Sequence, residues 1–205
     1  MVKKVLCSDQ ACGGDRKGAA ARVFEAARDL FYRRGIRAVG VDEIVSQAGV
    51  TKPSLYRAFA SKDDLVAACL TESARGSTAD LDALLAELPD DPEAQLRAIV
   101  RHFARKIADP GFRGCPLSNT AVEFPEPGHP GRAVLETCKA NLRGRMVGIA
   151  RGLPQVDAET LADGLILLIE GAMASHHIFG SQGPSGSLIA CGDQLISSHL
   201  VRTPA

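Results

Sequence analysis

The chain has 205 residues, 45% of them hydrophobic, and its 24 Lys and Arg balance 24 Asp and Glu. That length supports one domain or two small ones, with enough apolar residues for a sizeable core. It excludes a membrane-spanning chain, because no apolar run reaches the roughly 20 residues a bilayer needs, and the greasiest stretch, Leu161 to Ile178, is broken by Asp163, Glu170 and two histidines.

The first residues, MVKKVLCSDQACGG, carry two lysines but no apolar stretch behind them, so no secretory signal is read and the expected compartment is the cytoplasm. Six cysteines, Cys7, Cys12, Cys69, Cys115, Cys138 and Cys191, are scattered without a CxxC pair. This pattern predicts free thiols in a reducing compartment, and no metal site or cofactor. Charge is uneven: residues 1–66 carry a net +4 and residues 67–205 a net −4. A basic first third is a modest pointer to a polyanionic partner.

Residues 1–16 read as a polar tail. A first helix is predicted over 17–34, with Val23, Ala26, Ala27, Leu30 and Phe31 at helical spacing and Gly35 as the stop. A short second helix spans 41–48 and is broken by Gly49. The third starts at Thr51, whose hydroxyl is a candidate cap, with Pro53 in its first turn. The fourth starts at Ser61, and Asp63 and Asp64 suit its positive N-terminal end.

Beyond these, Asp91-Pro92 opens a helix carrying Leu96, Ile99, Val100, Phe103 and Ile107, which ends at 109–111. A short helix is expected over 116–122, a long one over 132–151, another capped by Asp157 and running to Phe179, and a last one over 186–200. No segment alternates as a strand does. The prediction is an all-α chain of about nine helices, with a helix-turn-helix domain over residues 17–65 and a helical effector-binding and dimerisation domain over 66–205.

Function concentrates in GVDEIVSQAGVTKPSLYRAFASKDDL, residues 40–65. Two short helices flank a glycine turn, the spacing of a helix-turn-helix whose second helix enters the major groove. That helix presents Thr51, Lys52, Pro53, Ser54, Tyr56 and Arg57, whose hydroxyls and cations suit phosphates and base edges. On pattern alone the same stretch also fits an ordinary surface helix with Tyr56 buried. No HExxH, GxSxG or GxxxxGK[ST] occurs, and the adjacent His176 and His177 do not share a helical face. An enzyme is therefore not expected, and a helical protein-binding module stays as a minor alternative.

Residues 22–65 resemble the N-terminal domain of the TetR family of bacterial transcriptional regulators. The resemblance runs through RVFEAARDLFYRRG, VDEIVSQAGVTKPSLYRAF and SKDDL, and GCPLSNTAVE at 114–123 gives weaker support. It implies a ligand-responsive regulator, usually a repressor, that binds a near-palindromic double-stranded operator as a homodimer. It also places Lys52, Ser54 and Arg57 on the DNA-facing side of the recognition helix, Tyr56 and Lys62 against phosphate, and Thr51 at the cap.

Two positions depart from the family pattern. Gly40 stands where a hydroxyl residue is usual, and Ala58 where a large polar residue is frequent. Two outcomes follow: modest affinity, or compensation by the basic residues Lys3, Lys4, Arg16 and Lys17. Leu161, Leu165, Leu168, Ile169, Leu188 and Leu195 are read as dimer-surface candidates, or else as closing the second domain's own core. An unidentified small, largely apolar effector is expected in the second domain, with Phe103, Phe112, Asn119, Glu123, Met173 and His177 as candidate contacts. At this spacing a Phe or Met serves equally as core. Cys115, in a glycine-proline turn, is expected to be the more accessible thiol than Cys69 or Cys138.

Overall fold

The structure is a computed structural model that describes residues 14–200; Lys3, Lys4, Cys7 and Cys12 lie outside the described residues, as do the side chains of Arg16 and Lys17. The described residues form nine α-helices and no strand: α1 (Gly14–Arg34), α2 (Val41–Ala48), α3 (Lys52–Ala58), α4 (Lys62–Ala86), α5 (Pro92–Ile107), α6 (Pro116–Glu123), α7 (Pro130–Ala150), α8 (Ala158–Phe179) and α9 (Leu188–Leu200). The all-α expectation holds. The chain divides into two compact units after Cys69.

In the first unit the periodic apolar residues of each helix meet. Val23, Ala27 and Leu30 of α1, Ile44 and Val45 of α2, Leu55 of α3 and Leu65 and Val66 of α4 are all buried. Each large aliphatic side chain removed from water contributes about 1.5–3 kcal/mol, which offsets the entropy of fixing these helices. Gly35 ends α1 at φ +85, and its N–H donates to the Phe31 carbonyl at 3.0 Å. Gly49 ends α2 at φ +62, left-handed backbone that favours glycine. Ser61 precedes α4 as predicted: its Oγ accepts from the Asp64 N–H at 3.0 Å and donates to Asp64 Oδ2 at 2.9 Å.

The second unit has its own core. Leu96, Ile99, Val100, Phe103 and Ile107 of α5 pack with Met146, Val147 and Ala150 of α7, Leu161, Leu165 and Ile169 of α8, and Leu188 and Ile196 of α9. Asp91 and Asp157 cap α5 and α8, accepting from the Ala94 N–H at 2.9 Å and the Thr160 N–H at 3.1 Å. Small residues allow close helix approach: a Cβ on Gly192 would lie 2.8 Å from Val100 Cγ1, and one on Gly164 would lie 2.8 Å from Leu195 Cδ2. Arg97 of α5 adds a polar tie to α9, with Nη1 donating to Asp193 Oδ1 at 2.8 Å and Nη2 to Ser197 Oγ at 2.9 Å.

The last helix begins later than its predicted start at residue 186. Two 3-10 turns, Gly180–Gln182 and Pro184–Ser187, come first, and α9 starts at Leu188. Pro184 has no N–H to give to an α-helical ladder, and Gly183 packs so close to Phe179 that a Cβ there would meet its Cβ at 2.2 Å. Of the dimer-surface candidates, Leu161, Leu165, Ile169 and Leu188 are core residues, and Leu168 and Leu195 pack against that core. They close the second unit, the other of the two readings.

Candidate nucleic-acid interface

Leu55 sets the orientation of α3. Its side chain has no solvent exposure, so the residues around it on the helix are divided between an inner and an outer face. Thr51, Lys52, Pro53, Tyr56 and Arg57 are exposed, and Ser54 is half-buried. Tyr56 is 50% exposed, which disposes of the reading that buries it. A 7-residue helix following an αL glycine thus leaves two cations and a phenol exposed, with the Thr51 hydroxyl at its start.

Local contacts hold these groups. Thr51 is the N-cap residue, but its Oγ1 pairs with Ser54 Oγ at 3.0 Å, and no side-chain bond caps the α3 backbone. Lys52 Nζ lies 2.7 Å from Asp42 Oδ1, and that hydrogen bond and charge raise the ammonium above the usual lysine value. Arg57 Nε donates to the Pro53 carbonyl at 3.3 Å, one turn back, leaving the rest of the guanidinium facing outward. Lys62 is turned inward: its Nζ donates to the Ile36 carbonyl at 2.6 Å and lies 5.8 Å from the Phe31 ring centre. Gly40 precedes α2 in extended backbone, φ −88 and ψ 159, with no side-chain cap and open space where a Cβ would point. Ala58 is exposed.

In the second unit the candidate effector residues fall into three settings. Phe103 and Met173 belong to the buried core. Phe112, Asn119 and His177 gather around Gly114. Phe112 stacks on His177 with ring centres 6.2 Å apart, Asn119 Nδ2 donates to the Arg113 carbonyl at 2.9 Å, and a Cβ on Gly114 would meet His177 Nε2 at 2.5 Å. Glu123, half-buried, is the last residue of α6. Two recesses are lined by residues that are not among the candidate effector contacts. One, of about 260 Å³ between α4 and α7, is bordered by Ser77, Thr78, Leu81, Cys138, Asn141, Leu142 and Arg145. The other, of about 430 Å³, runs along α5 beside Leu84, Leu88, Arg97, Arg101, Arg105 and Ile189. Leu81, Leu142 and Ile189 carry the helical spacing of core residues, so only the assembled helices distinguish a recess wall from a core.

A three-helix unit that exposes its second short helix beyond a glycine turn, joined to an all-α bundle, defines a helix-turn-helix regulator. The chain belongs to the tetR family of bacterial regulatory proteins: that family's sequence profile matches residues 23–69, and the profile of the tetracyclin repressor-like C-terminal domain matches residues 92–190. It is a family of DNA-binding proteins and not of enzymes.

A TetR-family transcriptional regulator from Streptomyces coelicolor has the same fold, with a TM-score of 0.85 and 30% identity over 90% of this chain and 97% of that one. Among curated proteins, the transcriptional activator FasR of Mycolicibacterium smegmatis is 35% identical over 98 residues, 44% of each chain. The transcriptional repressor BdcR of Escherichia coli is 33% identical over 104 residues, 50% of this chain and 51% of that one. The match to these two spans about half of their length.

Proposed function

We propose that this protein is a ligand-responsive repressor that acts in the cytoplasm and binds a near-palindromic operator as a homodimer. The observation that carries the reading is α3, held by the fully buried Leu55 so that Lys52, Tyr56 and Arg57 face outward. Lys52 and Tyr56 suit backbone phosphates, which fix register, and the outward edge of Arg57 suits a guanine, which carries sequence. Lys62 and Ser54 support the surface from behind: Lys62 fixes the α1–α2 loop through Ile36, and Ser54 fixes the Thr51 hydroxyl.

Dimerisation is supported by α8. Leu167, Gly171, Ala174 and Ile178 are all exposed, at spacings of four, three and four residues, so they form one apolar stripe opposite the buried Leu161, Leu165 and Ile169. A two-fold dimer would match a two-fold operator. The effector is placed in the second unit, in the recess between α4 and α7 or around Phe112, Asn119 and His177, and its binding would alter the spacing of the recognition helices. The repressor sign follows the family's usual behaviour and BdcR, against the activator FasR.

Selection of bound duplexes from a random pool tests the central reading. A near-palindrome should be enriched and bound with an affinity that falls steeply with salt. Arg57→Ala should relax preference at one position of each half-site. A pool that shows no enrichment overturns the assignment, and a reporter gene under the selected site settles repression against activation.

A further inference from the structure

The outer face of α5 forms the floor of the larger recess. Ala94, Ala98, Arg101 and Arg105 stand at spacings of four, three and four residues, so they make one stripe along the helix. It runs opposite the buried Leu96, Ile99, Val100 and Phe103. Leu84 and Leu88 of α4 wall it on one side, Arg97 of α5 and Ile189 of α9 on the other, and the recess measures about 430 Å³. That volume falls within the range of small-molecule pockets, about 300–1,000 Å³.

The α4 wall is tied to α5 at both ends. Near the start of α5, Gln95 Nε2 donates to the Leu88 carbonyl at 2.8 Å, and near its end Lys106 Nζ lies 2.9 Å from Asp80 Oδ2. The two ends of the recess differ in chemistry. Ala94, Ala98 and Leu88 make one end apolar, and the small alanines leave room above the floor. Arg101 and Arg105 make the other end cationic. The Arg97 guanidinium beside them is already occupied, donating to Glu93, Asp193 and Ser197. Arg101 reaches Asp193 Oδ2 only at 3.4 Å and is 48% exposed. Arg105 is exposed and enters no ion pair among the described residues. Three guanidiniums facing the two carboxylates Glu93 and Asp193 leave one positive charge in excess.

We propose that this recess binds a single-chain carboxylate of medium length, with its tail along Ala94, Ala98 and Leu88 and its carboxylate between Arg101 and Arg105. The planar fork of a guanidinium matches the two oxygens of a carboxylate. One excess positive charge matches one negative charge. None of the described residues bordering the recess is aromatic, so nothing there stacks a base or a ring. The floor from Ala94 to Arg105 is roughly 16 Å long at the helical rise, a length that suits an extended alkyl chain. This recess shares no residue with the one between α4 and α7, and it lies apart from Phe112, Asn119 and His177. It is a further site beside those to which the effector is assigned, and it does not depend on DNA binding.

Isothermal titration of the full chain without DNA tests this, with sodium decanoate below its micelle concentration as the probe. Decanoate should bind at least about tenfold more tightly than 1-decanol, which keeps the tail and lacks the charge. Hexanoate, with a shorter tail, should bind at least about tenfold more weakly than decanoate. Arg105→Gln should weaken decanoate at least about fivefold and leave 1-decanol unchanged. Arg105→Lys, which keeps the charge and loses the fork, should fall between. Ala98→Phe, which fills the tail end, should weaken both ligands. Melting of each variant without ligand is the folding control. Arg105→Gln alters only an exposed side chain, so it decides the matter even if Ala98→Phe does not fold. Equal binding of decanoate and 1-decanol overturns the proposal, as does decanoate binding that Arg105→Gln leaves unchanged. Sedimentation with phosphatidylglycerol vesicles in the absence of any decanoate binding would assign the arginines to a lipid surface and overturn it as well.

Discussion

Lys52 at the start of α3 is tied to Asp42 in the first turn of α2, with Nζ 2.7 Å from Oδ1. The pair crosses the helix-turn-helix on its solvent side, and both side chains are more than half exposed. An ion pair so exposed adds little to stability. It does place a carboxylate where a DNA phosphate would have to compete for the lysine. Asp42→Asn should therefore raise affinity for every duplex, up to about fivefold, the ceiling set by weak exposed pairs. Lys52→Gln should lower affinity uniformly and reduce the slope of log affinity against log salt by about one. Fluorescence anisotropy across a salt series measures both, and equal affinity of Asp42→Asn and wild type on all duplexes would remove Asp42 as a competitor.

Gly40 offers a second way to strengthen the same surface. It precedes α2 with φ −88 and ψ 159, ordinary extended backbone, and a Cβ there meets nothing within 4 Å. Gly40→Ser places a hydroxyl at the N-terminus of α2 without strain. As a cap it should add a few tenths of a kcal/mol to stability, and as a phosphate contact about 0.5–1.5 kcal/mol to DNA binding. Melting and anisotropy on one preparation separate the two effects. Tighter folding without tighter binding would show that the position does not face the duplex.

Much of the fold and of the exposed face of α3 is legible in the sequence, and the parts that are not share a cause. Caps act within three residues, so Ser61, Asp91 and Asp157 announce their helices. The period of 3.6 turns Leu55 inward but leaves Tyr56 open to a buried or an outward reading, and only the packed helices expose it. Contacts between distant segments leave no such trace. Nothing local shows that Lys62 turns back to Ile36, 26 positions earlier, or that Ser118 meets Glu170, 52 positions later. The dimer-surface candidates Leu161, Leu165 and Ile169 of α8 belong to the core for a related reason. α8 is apolar on both faces, and a hydrophobic pattern without a polar face does not say which side a neighbour covers.

Gly114 is the backbone position least tolerant of a side chain near the GCPL turn. Its φ is +86, and a Cβ would lie 2.5 Å from His177 Nε2 and 3.0 Å from Asn119 Oδ1. Gly114→Ala should cost about 1–3 kcal/mol from backbone strain alone, with the His177 clash in addition. A fall in Tm of roughly 3–10 °C follows for a chain of this size. His177→Ala in the same background should recover the clash and leave the strain. An unchanged melting temperature in Gly114→Ala would mean that this turn relaxes freely.

His102 on α5 gives the folded protein a sensitivity to mild acid. Burial, then the nearby Lys106, hold its ring below the ordinary histidine value against a smaller opposing pull from Asp80, and Arg105 adds to the lowering. Its Nε2 is buried without a hydrogen-bond partner among the described residues. The sign follows from proton counting. Below about pH 6.5 the unfolded chain protonates this histidine before the folded one does, so the unfolded state gains protons and stability falls with pH. Above that pH both states are neutral and the contribution is constant. Asp157 and Asp163, whose carboxyls are held below the usual range, lose their contributions only in stronger acid. Thermal melts of wild type and His102→Gln at pH 7.5 and 5.5 isolate the effect. The variant should lose less stability between the two, and parallel losses would show that His102 does not titrate differently on folding.

The stripe on α8 makes a continuous exposed apolar surface in the second unit and the sharpest test of assembly. Leu167 and Ile178 are 73% and 74% exposed, three turns apart, and Gly171 and Ala174 lie between them. Large residues at the ends and small ones in the middle suit close approach of a second α8, since a Cβ on Gly171 meets nothing within 4 Å. Phe179 at the end of α8 is a further exposed apolar residue. A monomer that left this stripe in water would forgo roughly 25 cal/mol for each Å² of apolar surface that a partner could bury. At micromolar concentration the protein should therefore sediment at twice its 21.6 kDa chain mass. Leu167→Glu with Ile178→Glu should shift it to monomer without loss of helix content, because neither side chain belongs to the core. The same variant should bind a single half-site as the wild type does and lose most of its affinity for the full near-palindrome. Wild-type protein sedimenting as a monomer would rule the dimer out, and a double variant that stays dimeric would move the interface to another face.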